Sequence, residues 1–239
     1  MRPASVGFHC PECVAAQQQA TPKVRNRVSA RLGRGGFSTT IVLMVVMGAV
    51  GLIDLVTGFA ASATLGMSSI GVLAGQFWRL VTGIVVSGHP INILFNLLFL
   101  WLVGRQVEQT FGRWRMLVVM LLSVLGSSTV LMFFPTSAWP GAYAAILGIL
   151  AAMAAVKWRA GEEIRGDLVL LGVMVAFQLL MGSMPGWMSL IGGIIAGGLS
   201  GLVLTSGRGR PNVTRTHVMG FSAIAVALLA VCGVAAVVA

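Results

Sequence analysis

The chain has 239 residues, 57% hydrophobic and only 9% charged, with a mean hydropathy of +0.93. Soluble domains carry roughly 25% charged residues, so this composition excludes an ordinary soluble fold and points to an integral membrane protein. The formal charge of +10 would suit a nucleic-acid binder, but such proteins gather basic residues on a soluble surface. Here they fall in short gaps between apolar runs, and nucleic acid is not expected as a partner.

The chain opens on a polar segment containing His9-Cys10-Pro11-Glu12-Cys13, a C-x-x-C. A structural zinc site takes four ligands, and Cys10, Cys13 and His9 fall short of that, so no cofactor is expected in a monomer. The remaining cysteine, Cys232, gives no disulfide framework. Residues 14–37 hold Gln17, Gln18, Gln19, Pro22, Gly33, Gly35, Gly36 and a series of basic residues, and read as a flexible tether. No secretory signal is expected ahead of the first apolar run, which begins near Thr39.

A spanning helix needs ~20 mostly apolar residues. Seven runs qualify: 39–60, 89–110, 114–134, 141–158, 167–184, 187–205 and 217–238. The stretch 61–88 is apolar but broken by Gly66, Gly71, Gly75, Gly83 and Gly88, and reads as a long loop with interfacial pieces. With the amino terminus in the cytoplasm, the basic residues fall on the inner side of this all-α, seven-span arrangement, Arg79 alone excepted. The carboxyl terminus then lies outside. The organisation is a tail over 1–37, a membrane domain over 38–206, and a loop with an additional seventh helix over 207–239. No internal repeat is visible, which argues against transporters built from inverted repeats.

Gly193, Gly197 and Gly201 recur every four residues on the sixth span, and Gly141, Ala144, Ala145, Gly148 and Ala152 give the fourth a small face. Small residues at that spacing let membrane helices approach to backbone contact, so these two helices are expected to pack on each other. Asp54, a turn or two from the end of the first span, is expected at the membrane interface. Gln178 is expected to hydrogen-bond a neighbouring helix. Tyr143, the only tyrosine of the chain, stands among the smallest residues.

Several segments resemble the rhomboid intramembrane serine proteases: F-W-R-L-V-T at 77–82, I-N-I-L-F-N-L-L-F-L-W-L-V-G-R-Q-V-E at 91–108, F-G at 111–112, G-A-Y-A-A at 141–145 and S-L-I-G-G-I-I-A-G at 189–197. The Trp78–Arg79 pair and Glu108 at the end of the second span are among the more specific marks. The resemblance implies a six-helix rhomboid-like core with one extra carboxyl-terminal helix. It also implies where catalysis would sit: a serine in G-x-S-G on the fourth helix, a histidine just before G-G on the sixth, and H-x-x-x-N on the second. Here Tyr143 holds the serine position, with Ala144 after it. Leu190 holds the base position and Asn92 that of the oxyanion histidine, while Asn96 is retained. A hydroxyl is a weak nucleophile without a base, and an oxyanion needs preorganised donors.

The resemblance therefore implies a pseudoprotease of the plasma membrane that recognises transmembrane segments of client proteins within the bilayer without cutting them. Two alternatives stand beside it. One is an active serine-type endopeptidase with a displaced set drawn from Asp54, His89 and Ser87, Ser137, Ser183 or Ser189. The other is a structural partner in a membrane complex. The amino-terminal stub resembles the end of a zinc finger, C-P-x-C-V, found in some bacterial rhomboid-like proteins. Zinc is then expected only if the reading frame begins upstream of Met1.

Overall fold

The computed structural model describes residues 2–4, 7–9, 38–134, 141–181, 184–206 and 213–238. The chain divides into two units, Met1–Gly36 and Phe37–Ala239. In the first, β1 (Arg2–Ala4) and β2 (Gly7–His9) pair antiparallel, with Arg2 opposite His9 and Ala4 opposite Gly7. Cys10, Cys13 and the expected tether lie outside the described residues.

The second unit is mostly helical in its described residues, and a helix stands at each of the seven expected spans. They are α1 (Thr39–Thr57), α5 (Pro90–Phe111), α6 (Arg113–Leu131), α7 (Gly141–Ala160), α8 (Arg165–Met181), α9 (Met184–Ser206) and α10 (Val213–Val238). Six are long and apolar enough to cross a membrane. The other, α8, has 17 residues and sits at the short limit of ~17 for a span. The seventh span belongs to the same unit as the rest. Side chains such as Val56 and Leu180, 87% and 79% exposed, lie on outer faces where only lipid would accept them.

Between α1 and α5 the expected loop is a chain of short pieces: α2 (Ala60–Leu65), α3 (Ser69–Leu73), α4 (Arg79–Thr82) and a 3-10 turn at Gly83–Val85. Arg79 holds them together. Its Nη1 donates to the carbonyls of Ala63 and Gly66 at 2.8 and 2.9 Å, and its Nε donates to Gln76 Oε1 at 2.5 Å. Thr82 Oγ1 adds a bond to the Leu65 carbonyl at 2.7 Å. Trp78 and Phe77, beside Arg79, are exposed.

In an apolar medium the first backbone N–H groups of a helix need acceptors from the protein itself. Two carboxylates supply them from outside the helix they cap. Glu108 on α5 reaches the start of α1, where its Oε2 accepts from Ser38 Oγ at 2.5 Å, Thr40 N at 3.1 Å and Thr40 Oγ1 at 2.9 Å. Its Oε1 accepts from Thr39 N at 2.9 Å and faces Arg113 Nε at 3.5 Å.

Asp54 does the same for α2. It stands one turn from the end of α1, is 1% exposed, and accepts from Ser62 N at 2.8 Å and Ser62 Oγ at 2.5 Å. The cause is a reversal at Gly58 and Phe59, both with positive φ, 64° and 68°. This ends α1 at Thr57 and folds the start of α2 back onto the carboxylate.

The centre of the bundle is α7, buried over nearly its whole length and packed against α9 and α6. Its small face meets that of α9 as expected. A methyl carbon placed on Gly193 would lie 3.1 Å from Ala144 Cβ, and one on Gly201 would lie 2.5 Å from the Ala152 carbonyl oxygen. On Gly197 it would overlap the Gly148 carbonyl. Backbones approach this closely only where one helix presents glycine and the other glycine or alanine. The start of α7 is equally tight, with Gly141 set against the backbone of Gly83.

Candidate functional site

The residues that the resemblance sets at catalytic positions, Tyr143, Leu190, Asn92 and Asn96, come from three helices, α7, α9 and α5. Tyr143 is the third residue of α7 and is 3% exposed. Its ring meets Phe99 of α5 edge-on, with centroids 6.5 Å apart. Its hydroxyl donates to the backbone carbonyl of Met174, in the middle of α8. That carbonyl can hold the proton of the hydroxyl in a hydrogen bond but cannot remove it. Leu190 on α9 is buried in the same hydrophobic core as Tyr143 and offers no basic atom.

On α5, Asn92 and Asn96 are one turn apart. Asn96 is buried and its Nδ2 donates to Ser87 Oγ at 3.0 Å. The amide oxygens of both asparagines are buried without a hydrogen-bond partner. Ser87 belongs to the extended stretch after the 3-10 turn, where the Val86 carbonyl accepts from Ala142 N at 3.2 Å. This places the stretch against the first turn of α7.

The structure does not bring Asp54, His89 and a serine together. Asp54 is engaged by Ser62. His89 is the exposed residue before Pro90 and makes no side-chain capping bond to α5. Ser87 is bonded to Asn96, and Ser189 Oγ donates to the Gly186 carbonyl at 2.6 Å. Ser137 and Ser183 lie outside the described residues. His217 stands at the start of α10, at the opposite end of the bundle from Tyr143. Among the described residues no group of three histidine, cysteine or acidic side chains could hold a metal ion.

Two partners were invisible in sequence. Met174 offers Tyr143 only a backbone carbonyl, which any residue would provide. Ser87 follows a run of small and apolar residues with no motif around it. Gln178 departs from expectation: it is buried, and its Oε1 finds no partner on a neighbouring helix. What ties α8 to the bundle is the Tyr143 bond, the tilted contact of Phe177 with Phe95 at 4.0 Å between ring centroids, and the Lys157–Asp167 ion pair at 2.7 Å.

The marks of the resemblance thus have structural roles: Arg79 organises the segments after α1, Glu108 caps α1, and Gly193, Gly197 and Gly201 join α9 to α7. A family model for the Rhomboid domain matches residues 74–207, more than half of the chain. That span runs from the segment before Arg79 through the end of α9. The chain belongs to the rhomboid family of multi-pass membrane proteins.

Proposed function

We propose that this rhomboid-family protein is a pseudoprotease that recognises transmembrane segments of client membrane proteins and does not cleave them. The observation that carries the reading is Tyr143 at the nucleophile position with its hydroxyl committed to the Met174 carbonyl. Leu190 at the base position leaves nothing there to activate a nucleophile. Asn92 and Asn96 keep amide groups where an oxyanion would need donors, but without a nucleophile no oxyanion forms. The scaffold that would hold a membrane segment is otherwise retained. The protein acts in the plasma membrane, amino terminus in the cytoplasm and carboxyl terminus outside, since that orientation puts almost every basic residue on the inner side.

Reconstitution of the purified full chain with transmembrane substrates and a serine-directed covalent probe tests this. Neither cleavage nor labelling is expected, and crosslinking in native membranes should trap client segments. Cleavage or labelling that disappears when one serine is replaced would establish an active protease instead.

A further inference from the structure

Two polar groups beside the connection from α8 to α9 are enclosed and unbonded, and they are chemically complementary. Gln178 of α8 is 7% exposed, and its Oε1 accepts no hydrogen bond. Trp187 of α9 is half-buried, but its Nε1–H is enclosed and donates to nothing. α8 ends at Met181 and α9 begins at Met184, so both groups lie about one turn, ~5.4 Å, from the same connection. The acceptor and the donor therefore stand at matching heights on two successive helices. Phe177 faces α5, where it meets Phe95. Gln178 is turned about 100° from it around α8, and α9 is also a neighbour of that helix. On α9, Trp187 shares a face with Ile191 and Ile195, 57% and 56% exposed, while Leu190 beside them is buried. On α8, Leu179 next to Gln178 is exposed as well. Both groups thus sit where the core gives way to the surface that lipid would cover.

In a bilayer an enclosed donor or acceptor left unbonded is costly, because no bulk water is at hand to satisfy it. A single group that donates to Gln178 Oε1 and accepts from Trp187 Nε1 would satisfy both. A hydroxyl or a carboxamide does this, whereas a carboxylate only accepts, an ammonium only donates and an alkyl chain does neither. α9 packs along α7 far more closely than along α8, which leaves the border between α8 and α9 to a further helix. We propose that α8 and α9 form a docking surface that selects client transmembrane helices by one neutral polar side chain. That side chain, a serine, threonine, asparagine or glutamine about one turn from the end of the client helix, bonds Gln178 and Trp187 together. This deepens the client reading and rests on it.

The test uses the full chain in phosphatidylcholine vesicles with synthetic transmembrane helices of about 20 leucine and alanine residues. Each helix carries a photoreactive leucine, and one has a single glutamine one turn from its end where the other has leucine. The glutamine helix should crosslink about fivefold more, the effect of one good interhelical hydrogen bond in a membrane. The crosslinks, mapped by mass spectrometry, should fall on α8 and α9. Gln178→Leu and Trp187→Phe should each bring the two helices to equal yield without lowering capture of the apolar one. A glutamine at the centre of the client helix should gain nothing. Equal capture of both helices by the unaltered chain overturns the proposal and leaves the client reading standing, whereas capture of neither overturns both. A preference that survives both substitutions overturns it too, since the two groups would then hold only a water molecule. If Gln178→Leu fails to fold, Trp187→Phe decides by the same measurement.

Discussion

The hydroxyl of Tyr143 and the backbone carbonyl of Met174 form a hydrogen bond that ties the first turn of α7 to the middle of α8. The side chain at the proposed nucleophile position therefore joins two helices. Few other contacts hold α8, which makes this bond a substantial part of its attachment.

Removing only that hydroxyl should loosen α8 without emptying the core. Tyr143→Phe keeps the ring against Phe99, and the Met174 carbonyl retains its bond within the helix. The expected cost is about 1 kcal/mol, the net value of one hydrogen bond. Hydrogen exchange should show faster amides around residues 174–178, with α7 unchanged. Unchanged protection there would contradict the assigned role.

Placing a serine at this position should not create a protease. Tyr143→Ser supplies a hydroxyl, but Leu190 leaves no base to accept its proton. No cleavage of a reconstituted transmembrane substrate is expected. Cleavage by this single variant would show that another group serves as base.

Glu108 should be among the most sensitive polar positions. Glu108→Ala strips acceptors from two backbone N–H groups and two hydroxyls at the start of α1. Hydrogen bonds to a charged group contribute about 1.5–3 kcal/mol, so a loss of about 3 kcal/mol is expected in reversible unfolding. Glu108→Gln keeps one acceptor oxygen and should lose less. Equal stability of all three proteins would refute the cap.

Two adjacent glycines of α9 should respond in opposite ways. At Gly197 an added methyl meets the backbone of Gly148, whereas at Gly198 it meets open space. Gly197→Ala should destabilise by about 1–3 kcal/mol, the usual effect of overpacking. Gly198→Ala should be close to neutral. Thermal unfolding of the pair in one detergent decides, and similar melting temperatures would mean that α7 and α9 are not in backbone contact.

Arg79 should act on the segments between α1 and α5. Arg79→Lys keeps the charge but cannot reproduce a guanidinium that bonds Ala63, Gly66 and Gln76 together. Limited proteolysis should cut within residues 60–82 faster in the variant. An unchanged cleavage pattern would place the order of that region elsewhere.

The seven spans were legible because an apolar run of helical length has few other uses in a chain of this composition. The α7–α9 contact was legible too, since glycines four residues apart mark a face that another helix can touch. The partner of Asp54 was not legible, because its environment depends on the reversal at Gly58 and Phe59. No local pattern announces that Ser62 will return to it. Tyr143 was recognisable as out of place, yet its partner was hidden because a backbone carbonyl has no residue identity. Glu108 stood out as a motif residue, but its task is set by a serine and two threonines about 70 positions earlier.

That separation has a consequence for how the protein is made. During synthesis α1 leaves the ribosome long before Glu108 exists. At about 5–20 residues per second, the 70 residues between Ser38 and Glu108 take roughly 4–14 s to appear. Throughout that interval the leading N–H groups of α1 lack their final acceptor and must stay in contact with water or with the insertion machinery. The first helix can therefore settle to its final depth only after α5 has been inserted beside it.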